Sequence, residues 1–241
     1  PFERDFTLIG TTDVDHETDP ATANCSAAER DYLLEAVNGF FKKQVTADDV
    51  VASFSGVRPL YDDKAGSAAA TTRDYVLTCD DDAGVAPVLN VFGGKITTYR
   101  RLAEHALEKL APWFPYMGPC WSKTEALPGG HFQLAERDGL PDRLMTEHAY
   151  LDRNWAERLV RAYGIDAFNM LAGTKDIDDL GVCFGGSLYA REVDWLRQHE
   201  WAMTADDILW RRSKLGLVLD EDAAARLTSW LANASPVQDV A

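Results

Sequence analysis

A short run in the middle of the chain combines flexible glycines with a positive charge. Residues 88–100 (VLNVFGGKITTYR) are an apolar stretch typical of a strand, a turn at Gly93 and Gly94, and the start of a helix. Glycines let a ligand approach the backbone, and a helix N-terminus beside Lys95 attracts an anionic group. A P-loop is excluded because Leu89 stands where its first glycine is required. The spacing alone favours a plain strand-to-helix turn slightly over an anion site.

Two arginines in the first half carry further positive charge. Arg58 lies in the apolar run of residues 55–61 (SGVRPLY), and Arg73 is followed directly by Asp74. An arginine among apolar residues needs a carboxylate, phosphate or carbonyl partner. If both converge with Lys95, the three cations form an anion site. Structural ion pairs, with Asp74 as the obvious partner of Arg73, are the alternative.

Other kinds of site find little support in the residue pattern. None of the 4 cysteines forms a CxxC pair and no two of the 5 histidines have ligand spacing, so we expect no metal site and reduced thiols. Asp13 and Asp15, beside two threonines, favour a solvated turn over a polar cluster. The formal net charge of -15, spread over both halves, argues against a nucleic-acid partner.

The elements that must position these residues alternate in the first half. A capping box at Ser26 and Glu29 predicts a helix over residues 27–43, and residues 62–72 are predicted to be a loop. A second helix is predicted to follow Gly94. β-Branched and apolar runs predict strands at residues 6–14, 50–61, 73–79 and 87–92.

The second half has the apolar spacing of helices. Thr204 and Asp220 are predicted N-caps, and no strand-like alternation is seen after residue 186. Prolines and glycines in residues 112–130 predict a linker. Helices are predicted at residues 147–163, 188–199, 205–215 and 221–233.

Five runs in a fixed order resemble the C-terminal portion of FAD-dependent, quinone-linked glycerol-3-phosphate dehydrogenase. They are DFTLIGTTD (5–13), SGVRPLY (55–61), RDY (73–75), VFGGKITTYR (91–100) and ADDILWRRSKLG (205–216). Each run alone is weak, but their joint occurrence is specific.

The resemblance implies an α+β fold in which a partial antiparallel sheet precedes an all-α C-terminal domain. Residues 1–111 would be the latter part of the substrate-binding cap with the strand-turn-helix that closes the flavin site. Residues 112–130 would be a linker, and residues 131–241 the helical domain. The family's GxGxxG segment is absent, so we expect a fragment that binds no FAD tightly and is inactive alone.

The same resemblance implies roles for individual residues. Arg58, Arg73, Lys95 and Thr97 would bind substrate. The residues next to the flavin would be Gly93, Gly94, Lys95, Ile96 and Thr97. No candidate for the catalytic base stands out, and we expect it in the missing N-terminal part.

The implied reaction is oxidation of sn-glycerol 3-phosphate to dihydroxyacetone phosphate, by hydride transfer from C2 to flavin N5. Electrons would pass through FAD to a quinone. The full-length protein would be cytoplasmic, peripheral on the inner face of the cytoplasmic membrane, and a possible homodimer. Two alternatives stay open: a free-standing helical protein-interaction module, and part of another FAD-dependent hydroxy-acid or amine oxidase.

Overall fold

The chain folds into two compact units, Pro1–Glu125 and Ala126–Ala241, in the computed structural model. The structure describes residues 1–61, 73–81 and 85–234. The loop predicted at residues 62–72 lies outside the described residues. The architecture is α+β, as the sequence predicts.

The described part of the first unit has one antiparallel pair of strands and two longer helices. Strand β1 pairs with β2 in a register running from Tyr75 opposite Gly93 to Asp80 opposite Val88. The helix predicted after the glycine pair follows β2, so the strand-turn-helix is confirmed. The elements are α1 (Ala27–Asn38), β1 (Tyr75–Asp80), β2 (Val88–Gly93) and α2 (Tyr99–Leu110).

Helix α1 begins where its capping box predicts. Ser26 accepts a hydrogen bond from the Glu29 backbone, and the Glu29 side chain accepts from the Ser26 backbone. The helix ends at Asn38, short of the predicted residue 43. The Asn38 side chain bonds both the N–H and the carbonyl of Val45, and Gly39 follows it. The helix therefore ends where the Asn38 side chain bonds the backbone of Val45 and where Gly39, a poor helix former, follows.

Two strand predictions in this unit are wrong. The described backbone forms no strand at residues 6–14 or 50–61, apart from an isolated bridge between Phe2 and Phe6. A strand needs a neighbour for its N–H and C=O groups, and local residue preference does not supply one. Pro59 also removes a donor within the second run.

The second unit is helical with one small hairpin. Asp152 accepts a hydrogen bond from the Trp155 backbone and starts a helix later than the predicted residue 147. Its helices are α3 (Leu140–Glu147), α4 (Arg153–Tyr163), α5 (Asp166–Leu171), α6 (Ala190–His199) and α7 (Glu221–Asn233). A π-helical segment, Asp207–Arg212, lies between α6 and α7.

The caps predicted in this unit are confirmed. Asp220 accepts from the Ala223 backbone at 2.8 Å, and Thr204 accepts from the Asp207 backbone at 3.1 Å. The absence of strands after residue 186 is a wrong prediction, because β3 (Cys183–Gly185) pairs with β4 (Leu188–Tyr189). Gly185 and Gly186 both have positive φ, which permits the tight turn between two strands too short to show alternation.

The hydrophobic core lies in the second unit. Its largest fully buried side chains include Phe184, which packs against the ring of Trp230 with centroids 5.5 Å apart. Other core residues are Leu140, Leu144, Leu159, Met170, Leu180, Leu188, Leu196, Ile208 and Leu227. In the described part of the first unit, Leu34 is the one buried hydrophobic residue.

No helix in the described ranges combines the length and the apolar composition needed to cross a bilayer. All four cysteines are free thiols. Among the described residues no cluster of His, Cys, Asp or Glu has the arrangement of a metal site.

Candidate functional site

Arg58 and Arg73 converge on one carboxylate in the first unit. Asp13 Oδ2 accepts from Arg58 Nη1 at 2.5 Å and lies 3.4 Å from Arg73 Nη2. All three side chains are about half exposed, at 45%, 45% and 52%. Of the three cations that would form an anion site if they converged, Arg58 and Arg73 are therefore adjacent and open to solvent.

The strand pair places the segment that carries Arg58. Gly93, at the end of β2, has a φ of +66°, and a Cβ there would lie 3.5 Å from the Pro59 carbonyl oxygen and from the Tyr61 nitrogen. The rings of Tyr61 and Phe92 also contact each other, with centroids 5.8 Å apart. A Cβ at position 93 would come nearest to the Asp74 carbonyl oxygen, at 3.3 Å, and the positive φ of Gly93 also disfavours a residue with a side chain.

Lys95 extends the site towards α2. Gly94, with a φ of +94°, lets the chain turn closely over Tyr75, whose Cβ would lie 3.1 Å from a Cβ at position 94. The exposed Lys95 then precedes the 3-10 turn Ile96–Thr98, which leads directly into α2. Within the described residues, the structure records no ion pair for the Lys95 ammonium and no contact with the two arginines.

Helix α2 is fixed in place through a buried carboxylate. Glu104 is 7% exposed and accepts from Ser122 Oγ at 2.9 Å, Arg101 Nη1 at 2.8 Å and Arg100 Nη1 at 2.5 Å. The Ser122 hydrogen bond, with smaller contributions from the two arginines, lowers the pKa of Glu104 below its ordinary value. On the same helix, His105 Nδ1 bonds the Tyr75 hydroxyl at the start of β1. The His105 contact joins the middle of α2 to β1, and the Glu104 contacts join the helix to Ser122.

The chemistry of residues 93–97 fits the ring of a flavin. Ile96 is 85% exposed and offers an apolar surface next to the Lys95 cation. The start of α2 adds the partial positive charge of a helix N-terminus. A planar apolar ring with an anionic edge matches a cation, an apolar side chain and free backbone at a glycine turn.

One residue of this site is missed by the sequence reasoning. Asp13 is half exposed, but it is also the shared partner of both arginines, which the prediction of a simple solvated turn did not include. The structure shows an ion pair of Arg73 with Asp13, at 3.4 Å. The need of Arg58 for a carboxylate was a usable signal. With 39 acidic residues in the chain, it does not single out one that lies 45 positions away.

Comparison with known proteins identifies the family of the second half of the chain. Residues 120–234 match the family described as the C-terminal domain of alpha-glycerophosphate oxidase, and this part of the chain belongs to that family. Arg58, Arg73 and Lys95 lie outside the residues that this family model matches.

Particular relatives extend the likeness to nearly the whole chain. It is 48% identical over 236 residues to a glycerol-3-phosphate dehydrogenase of Pseudomonas aeruginosa, and 45% over 231 residues to the aerobic enzyme of that name from Escherichia coli. It is 43% identical over 237 residues to a D-erythritol 1-phosphate dehydrogenase of Brucella abortus. These matches cover 96–98% of the chain but only 46–47% of each relative, so the chain spans about half their length. The resemblance inferred from the five runs is confirmed.

Proposed function

We propose that the chain is the C-terminal part of an FAD-dependent dehydrogenase that oxidises sn-glycerol 3-phosphate to dihydroxyacetone phosphate. The observation that carries the proposal is the convergence of Arg58 and Arg73 beside the glycine turn. Guanidinium groups bind phosphate oxygens in pairs of parallel hydrogen bonds, which suits a phosphorylated substrate. The names of the relatives point to the same substrate class.

Each group in the site has a part in this function. Arg58 and Arg73 bind and orient the substrate phosphate, with Thr97 and Lys95 nearer to the reacting carbon. Gly93, Gly94 and residues 95–97 would hold the flavin ring, and FAD supplies the hydride acceptor when bound. Lys95 and the helix N-terminus favour negative charge on that ring. The proton of the C2 hydroxyl passes to a base supplied by the rest of the full-length protein.

D-Erythritol 1-phosphate is the second candidate substrate. The dehydrogenase of Brucella abortus that carries this name is 43% identical, against 48% and 45% for the two glycerol-3-phosphate dehydrogenases. Both substrates are phosphorylated polyols, so the arginine pair suits either of them. Support for glycerol 3-phosphate comes from the higher identities alone.

Substrate competition in the full-length flavoprotein tests the proposal. We expect the highest kcat/KM with sn-glycerol 3-phosphate, a lower value with D-erythritol 1-phosphate, and almost none with glycerol, which lacks the phosphate. A preference for D-erythritol 1-phosphate would change the proposed substrate and leave the proposed reaction class unchanged. Comparable turnover of glycerol or of a simple hydroxy acid would contradict a phosphate role for the two arginines.

Quinone reduction and membrane attachment belong to the same proposal. Both are supported by the family resemblance, and the acidic surface is expected to keep any association with anionic lipid weak. Fractionation of native cells tests this part. We expect the protein in the cytoplasm and on the inner membrane face, released by a salt wash. A fully soluble enzyme that reduces no quinone would contradict it.

A further inference from the structure

A single oxygen atom sets the separation of the two arginines. Asp13 Oδ2 contacts Arg58 Nη1 and Arg73 Nη2, which come from residues 45 and 60 positions further along the chain. We propose that Asp13 is a positioning residue. It holds Arg58 and Arg73 side by side as one receptor for the phosphate of the substrate, an inference that rests on the function proposed above.

The charges of the three groups support this arrangement. Two guanidinium cations brought together without a ligand repel each other, and an anionic oxygen between them offsets the repulsion. Two cations and one carboxylate leave one positive charge, so a phosphate is still attracted. Asp13 therefore holds the two arginines together without cancelling their net positive charge.

The number of hydrogen-bond donors on Arg58 and Arg73 also supports a phosphate receptor. An arginine has about five N–H donors, and Asp13 takes one from Arg58 and one from Arg73. In the described part of the chain, no other acceptor is recorded for either guanidinium. As far as the described residues are concerned, the remaining donors are available for phosphate oxygens.

The backbone at Asp13 is itself anchored through the preceding residue. The neighbouring Thr12 donates its hydroxyl hydrogen bond to Glu29 Oε1 on α1 at 2.7 Å, in a half-buried position. That anchor ties the backbone of Asp13 to the first turn of a helix. A carboxylate anchored in this way is suited to stay between the two arginines when substrate binds. It is less suited to occupy the phosphate position and move out when the substrate phosphate arrives.

The test uses Asp13→Asn in the full-length holoenzyme, with Asp15→Asn as the matched control. Asp15 is exposed on the same segment and has no recorded partner among the described residues. We expect Asp13→Asn to raise the KM for sn-glycerol 3-phosphate by about tenfold to a hundredfold, as misplaced binding groups do. The value of kcat changes less, because phosphate contacts are made equally before and during the reaction. Inhibition by inorganic phosphate weakens in parallel, and Asp15→Asn changes neither quantity.

A second variant guards against a folding defect. Asp13→Glu keeps the charge and moves the carboxylate by one methylene, so its KM is expected between those of the wild type and Asp13→Asn. If Asp13→Asn loses its flavin or its far-ultraviolet circular dichroism signal, which would indicate a folding defect, the KM of Asp13→Glu alone decides the test.

Three results would overturn the inference while leaving the proposed function intact. They are a KM in both variants equal to that of the wild type, a lowered KM, which would make Asp13 a competitor of phosphate, and a lowered melting temperature with KM unchanged. A wild-type enzyme that neither oxidises glycerol 3-phosphate nor binds inorganic phosphate would overturn both.

Discussion

At the scale of single residues, one short segment fixes two parts of the first unit. Thr12 bonds Glu29 on α1, and the next residue, Asp13, bonds Arg58 and Arg73. The Glu29 carboxylate also accepts from the backbone and the side chain of Ser26. Few apolar residues are buried in this unit, so such polar contacts have a large share in its geometry.

The acid titration of Glu29 is a first prediction. The Thr12 hydrogen bond, followed by those from Ser26, lowers the pKa of Glu29 from 4.5 to about 2. A lowered folded-state pKa means that the cap stabilises the fold above pH 4.5, and that this contribution is lost as the pH falls towards 2. Carboxyl chemical shifts in NMR should show Glu29 titrating near the lower value. Thr12→Val should raise the midpoint, and a wild-type midpoint near 4.5 would contradict the contacts.

Removing one arginine of the pair is a second prediction. In the full-length enzyme, Arg73→Ala should raise the KM for sn-glycerol 3-phosphate about tenfold to a hundredfold, the usual worth of hydrogen bonds to a charged group. Arg30→Ala is the control, since Arg30 pairs with exposed Asp31 at 2.7 Å and has no recorded contact with Asp13, Arg58 or Arg73. An equal KM for Arg73→Ala and Arg30→Ala would show that Arg73 does not bind the substrate.

The sequence predicts some residues of this site better than others. Arg58 and Arg73 stand out because cations in apolar surroundings need an anionic partner. The glycine turn stands out because two adjacent glycines readily adopt the positive φ values that a tight turn requires. Asp13 does not stand out, because its partners lie 45 and 60 positions away and no local pattern marks them.

At the scale of elements, boundaries set by local contacts are predicted well. Ser26, Thr204 and Asp220 cap helices through hydrogen bonds that span three residues, so their spacing is visible in the sequence. Strands at residues 6–14 and 50–61 are wrong predictions because pairing depends on a neighbour that local residue types do not reveal. The hairpin of β3 and β4 is missed because its strands are only three and two residues long.

A buried ion pair between α4 and α6 gives a third prediction. Arg158 donates two hydrogen bonds to Glu192 at 2.7 and 2.6 Å, and Tyr163 donates a third at 2.7 Å. Burial, together with the Glu192 charge, raises the pKa of Tyr163 well above its ordinary value. Glu192→Ala should lower the free energy of unfolding by about 3–5 kcal/mol in urea denaturation, because it leaves a buried cation without its carboxylate.

Two controls separate this pair from surface charge effects. Arg137→Ala removes an exposed pair with Asp138, and we expect a change below about 1 kcal/mol. Replacing Arg158 and Glu192 together by apolar residues should cost less than Glu192→Ala alone. Equal losses for Glu192→Ala and Arg137→Ala would contradict a structural role for the buried pair.

At the scale of the whole molecule, the two units differ in how they are stabilised. The second unit has a continuous core, whereas the described part of the first unit buries Leu34 and exposes many large apolar residues. These include Phe40, Phe54, Val88, Val91, Phe92, Ile96, Tyr116 and Trp121. Apolar surface of this kind marks contact with other protein or with a bound group. The candidate site therefore lies in the unit that depends more on such contacts.

Separate expression of the units is a fourth prediction. Residues 126–241 should unfold in one cooperative transition, since a core of this kind supports independent folding. Residues 1–125 should show weak cooperativity and bind a hydrophobic dye. A sharp transition in residues 1–125 alone, with no dye binding, would contradict this division of stability.

We propose that this chain belongs to a flavoenzyme that oxidises a phosphorylated polyol. The most direct measurement is the visible flavin absorption of the full-length protein, recorded anaerobically during addition of sn-glycerol 3-phosphate. We predict that the absorption is bleached at a rate that saturates with substrate, and that glycerol leaves it unchanged. A flavin that stays oxidised with glycerol 3-phosphate and with D-erythritol 1-phosphate, or a purified protein without flavin, would contradict the claim.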